Sequence, residues 1–169
     1  MSTARSMNLA TAIRLGVIAG AAGGLAEIAW VSGYAAATGA DAAALARGVT
    51  TAAGAIALTP DAPVLAGIAI HMVLAIGLGL ALASAWQAIA RRYRLASSSL
   101  FLLAMTALAG VWMMNFLIVL PILSPGFVHL LPYPVSLVSK LLFGVAAAEI
   151  LRLGTIERTS TLADALPTA

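Results

Sequence analysis

Four stretches of this chain are long and apolar enough to cross a bilayer, and each carries one strongly polar residue: Glu27, His71, Asn115 and Lys140. In hydrocarbon every backbone N–H and C=O must find its partner within the protein, so an apolar stretch of about 20 residues becomes a helix. Alternation of apolar and polar residues, the mark of a membrane barrel strand, is absent. With 62% hydrophobic and 9% charged residues the composition lies outside that of soluble domains. The mean hydropathy of +1.05 agrees. The expected fold is therefore all-α: a polytopic membrane protein, a four-transmembrane-helix bundle forming one domain over 1–169.

The expected spans are residues 12–37, 64–90, 98–121 and 134–153, with outer loops at 38–63 and 122–133 and a frayed polar tail at 154–169. Arg5 and Arg14 ahead of an apolar run imitate a signal peptide, but apolar character continues through Trp30 and Tyr34 to span length. Pro121 is expected to stop the third span, and Pro134 suits a first helical turn. Segment 42–58 is rich in alanine but contains Arg47, Thr50 and Thr51. It reads as an outer-surface or partly re-entrant helix, capped by Thr38 or Asp41, rather than a fifth crossing.

Charge asymmetry sets the orientation. Arg5, Arg14, Arg91, Arg92, Arg94, Arg152 and Arg158 fall on one side of this arrangement and only Arg47 on the other, which places both termini in the cytoplasm. The net charge of +3 rests on nine basic residues, eight of them at segment ends or in connections, so topology accounts for it and no nucleic-acid partner is expected. The alanine, glycine and arginine usage suggests a bacterial inner membrane. The chain has no cysteine, which excludes disulfides, thiolate metal sites and cysteine nucleophiles.

Small residues repeated every fourth position mark the face where membrane helices approach closely. On the first span Gly16, Gly20 and Gly24 lead at helical spacing to Glu27; on the second, Gly67, Ala75, Gly79 and Ala83 flank His71; on the fourth, Ser136, Gly144 and Ala148 flank Lys140. All three ionisable groups are thus expected on packing faces. The third span has only a mixed stripe, Ala104, Leu108, Val111 and Asn115, and Asn115 is turned inward because an amide facing lipid lacks partners. At a rise of about 1.5 Å per residue the four lie roughly 9–15 Å from the outer ends of their spans.

The expected role is binding or passage of a small polar species, a proton or a metal ion at Glu27, His71, Asn115 and Lys140, with His129 arriving from the outer loop. A metal would take Glu27, His71 and His129 as ligands, although Lys140 at similar depth opposes a cation and no HExxH spacing is present. Haem needs two facing histidines, and only these two exist. The proline-rich segment 121–134 reads either as a lid over the outer mouth or as an interfacial loop with Phe127 and Tyr133 at headgroup level. Trp30, Tyr34, Trp86 and Tyr93 read as aromatic-belt residues. No nucleotide loop or GxSxG occurs, so an enzyme is disfavoured. The competing reading is a structural or assembly subunit in which Glu27 and Lys140 lock helix register, and the small-residue stripes meet other membrane proteins or a second copy.

Overall fold

The computed structural model describes residues 9–93 and 97–164. Arg5 and Arg94, which entered the charge count, and residues 165–169 lie outside the described residues. The described chain contains α1 (Leu9–Thr38), α2 (Ala42–Ala52), α3 (Pro63–Arg92), α4 (Ser97–Met114), a π turn (Asn115–Val119), α5 (Leu120–Leu123), α6 (Pro125–Val128) and α7 (Tyr133–Asp164). Among the described residues four helices are long and apolar enough to span a membrane: Leu9–Thr38, Pro63–Ala90, Ser99–Leu123 and Tyr133–Gly154. Each is within a few residues of its expected bounds. The tail departs from expectation, because α7 continues as helix to Asp164 instead of fraying after the fourth span.

Local chemistry explains the ends. Gly39 at φ +75° closes α1 with its N–H on the Ala35 carbonyl at 2.9 Å, a left-handed cap that L side chains resist. Asp41 caps α2 by accepting from the Ala44 N–H at 3.0 Å, while the Thr38 hydroxyl instead bonds back to the Tyr34 carbonyl. That N–H, together with the Arg47 guanidinium 2.8 Å away, holds the Asp41 carboxyl below its ordinary value. Pro121 does not stop the third span. Proline lacks an N–H and crowds the carbonyl four residues before it. The chain widens just ahead of it, with the Leu120 N–H reaching the Asn115 carbonyl in a π turn, and helix resumes through Leu123.

The helix in segment 42–58 is too short to cross a bilayer. It has 11 residues, about 16 Å at helical rise, and it lies against α3 and α6. The contact is tight: a Cβ on Gly67 would overlap the Ala46 carbonyl, and one on Gly48 would come 2.6 Å from the Phe127 ring. The buried Thr50 hydroxyl donates to the Pro63 carbonyl at 2.5 Å, tying α2 to the first turn of α3.

The spanning helices are arranged in the order α3, α1, α7, α4: α1 packs against α3 and α7, and α7 against α4. Glycine sets the closest approach. A Cβ at Gly20 would lie 2.5 Å from the Ala75 carbonyl, and one at Gly23 would lie 2.7 Å from the Phe143 ring. Gly154 of α7 meets Leu15 of α1, so the first and fourth spans run antiparallel. The core formed by Leu82, Trp86, Leu100, Ala104, Leu108 and Phe143 joins α3, α4 and α7 in the half of the bundle away from α2. Trp86 is therefore a core residue, not a belt residue. In the half nearer α2, α3 and α4 do not pack together; a cavity of about 1100 Å³ lies between them.

Candidate functional site

Glu27 sits where the tightest faces of α1 meet α3 and α7, and its side chain is the centre of the site. It is 4% exposed. The Lys140 ammonium approaches its Oε1 to 2.7 Å, and the Ser139 hydroxyl donates to the same oxygen at 3.4 Å. From α3, His71 Nε2 stands 3.6 Å from Oε2 and 3.4 Å from the Gly24 carbonyl. The Lys140 Nζ also lies 5.9 Å from the centre of the Phe143 ring, within the range of a cation–π contact.

The two carboxylate oxygens are treated unequally. Oε1 has an ammonium and a hydroxyl; Oε2 is buried and has no hydrogen-bond partner within the protein among the described residues. A buried acceptor without a donor carries a desolvation cost of about 1–3 kcal/mol, more when charged. Oε2 and His71 Nε2 are just beyond hydrogen-bond range of one another, and Glu27, His71 and Lys140 all line the cavity.

Asn115 lines the same cavity from the first residue of the π turn. Its side-chain amide makes no hydrogen bond among the described residues and is half-buried. Four of the residues expected at one site are thus brought around one space: Glu27, His71 and Lys140 at contact distance, Asn115 on its wall.

His129 is not among them. It follows α6, is exposed and does not line the cavity. The ligand set Glu27, His71 and His129 does not assemble, and no group of three or more His, Cys, Asp or Glu with metal-holding geometry occurs among the described residues. The same displacement separates the two histidines that a bis-histidine haem would require. The physical reason is α6: its short turn directs Val128 and Leu131 into the protein, so the intervening His129 faces away.

Ser139 escaped the sequence reading. It precedes Lys140 and is as buried as the stripe residue Ser136, since residues at i, i+3, i+4 and i+7 (Ser136, Ser139, Lys140, Phe143) share one face. Ser136 itself accepts from Trp112 Nε1 at 2.9 Å and donates to the Tyr133 carbonyl, fixing α4 against the start of α7. Trp112, Phe116, Phe127 and Tyr133 then form an aromatic cluster with centroid separations of 5.8–6.5 Å. Leu45 and Val49 of α2, with Phe127 and Leu131, cover the cavity at its loop end.

Comparison with family models, with curated proteins and with solved structures finds no match to this chain.

Proposed function

We propose that this chain is an integral membrane module that binds a small polar group at Glu27, His71, Asn115 and Lys140, in the half of the bundle nearer α2. The observation that carries this reading is Glu27 Oε2, a buried carboxylate oxygen without a donor among the described residues, on the wall of a large cavity. A lock whose purpose is register would be best served by satisfying both oxygens, because an unmade bond at a buried charge subtracts from the pair's stability. An incoming donor, or a proton, removes that cost and is bound by it. The charge asymmetry supports cytoplasmic termini and an outward-facing site, and composition supports a bacterial inner membrane.

Native mass spectrometry of the protein purified in mild detergent tests the site. Wild type is expected to retain a small-molecule adduct that Glu27→Gln loses while keeping its helical circular dichroism. An identical adduct pattern in both proteins, or none in either, rejects the site.

The assembly reading is favoured by one specific observation, the face left uncovered between α3 and α4. It expects a stoichiometric partner polypeptide in place of the adduct.

A further inference from the structure

The cavity is far larger than the polar cluster needs. At about 1100 Å³ it exceeds the roughly 300–1,000 Å³ typical of small-molecule sites, whereas a proton, an ion or a small solute would fill only the corner at Glu27. Away from that corner its walls are apolar, including Leu74 and Leu78 of α3, Val111 of α4, and Val119 and Leu123 beyond it. Leu74 and Leu123 are each 66% exposed and still line the cavity, so it opens sideways between α3 and α4, the direction in which acyl chains surround a spanning bundle. The loop end is covered by α2 and Phe127, and the opposite half is closed by the core around Trp86 and Leu100.

Charge narrows the occupant further. Glu27 and Lys140 are 2.7 Å apart and cancel, and with His71 neutral, as histidine is formally counted at pH 7, the corner offers no net charge to offset the desolvation of an ionic headgroup. What it offers, among the described residues, is an acceptor without a donor, Glu27 Oε2, and an amide without a side-chain bond, Asn115. A group that both donates and accepts while carrying no charge matches this pair. A hydroxyl is the simplest such group.

Resting on the binding reading above, we infer that the ligand is a neutral lipid with a hydroxyl polar end, which enters from the acyl layer between α3 and α4, places its hydroxyl at Glu27 and Asn115, and lays its apolar part along the slot. The polar corner selects the headgroup; the slot supplies binding energy through packing.

Three probes with one chain and different ends test this: hexadecanol, hexadecanoate and hexadecyltrimethylammonium, each carrying a diazirine on the chain, irradiated with the full-length protein in phosphatidylcholine nanodiscs. Hexadecanol is expected to label the peptides holding Leu74 and Val111 most strongly. That labelling should fall about tenfold in Glu27→Gln, the equivalent of one hydrogen bond to a charged acceptor. Leu74→Trp, which obstructs the slot without touching the polar corner, should reduce it as well. Equal labelling by all three probes, or labelling that ignores both substitutions, overturns the inference.

The mass-spectrometric adduct separates the two claims. A Glu27-dependent adduct on a protein that hexadecanol fails to label in the slot leaves the binding site standing and removes the lipid. Absence of both removes the site too. A partner polypeptide crosslinked through the slot overturns the lipid in favour of assembly.

Discussion

Without the Lys140 ammonium, the Glu27 carboxylate would keep only the Ser139 hydroxyl at 3.4 Å and the His71 ring at 3.6 Å while remaining buried. Breaking a buried pair from one side is expensive because the surviving charge is left uncompensated. Lys140→Met is accordingly expected to lower unfolding stability by about 3–5 kcal/mol, and Glu27→Leu combined with Lys140→Met to restore most of it, since apolar replacement of a buried pair is often neutral. Denaturant titration of the three proteins in one mild detergent checks both; a double variant as unstable as the single would show that the pair itself supplies net stability. At this scale the sequence was informative for a definite reason. Glu27, His71 and Lys140 continue stripes of small residues, and such stripes turn toward neighbouring helices whatever else they carry. Ser139 was missed because the every-fourth-position stripe through Ser136 and Lys140 passes over the i+3 position that shares its face. His129 was misplaced because the one-turn helix α6, which decides where it points, is too short to leave a periodicity.

The spanning helices owe their contacts to positions where no side chain intervenes. Between lipid and protein there is little hydrophobic difference, so van der Waals fit has to hold α1 against α3. Gly20 and Gly79 are where that fit is tightest, a Cβ on Gly79 overlapping the Gly16 and Gly20 backbone. Gly77, two residues before Gly79 on the same helix, has nothing within 4 Å of a Cβ. Gly20→Ala should therefore cost about 1–3 kcal/mol by forcing the helices apart. Gly77→Ala should be neutral or stabilising by up to about 1 kcal/mol through helix propensity. Thermal unfolding of the two variants side by side separates packing from propensity, and equal effects would contradict the packing account. The spans and their packing faces were legible because hydropathy and four-residue spacing report them directly. The π turn was not, since a proline signals that the α pattern is disturbed without saying whether the helix ends or widens.

Which helices become neighbours is a property of the whole molecule, and nothing in the sequence announced that α3 and α4 would stand apart in the half nearer α2 although they follow one another in the chain. A closed bundle of four would have put the polar cluster on a central axis; the order α3, α1, α7, α4 puts it at the foot of a lateral slot instead. The absence of native cysteine allows the proposed orientation to be read cleanly. Thr59→Cys, in the connection between α2 and α3, is expected to react with a membrane-impermeant maleimide in intact cells, and Arg92→Cys only after lysis; the reverse pattern would invert the assignment. The same order of helices has a consequence for synthesis. Glu27 lies on the first span and its cation on the last, so at roughly 5–20 residues per second the ribosome delivers the lysine on the order of ten seconds after the glutamate. For that interval the carboxyl must be held by water, by a proton or by an insertion factor, and α1 can settle against its final neighbour only when the last helix has left the tunnel.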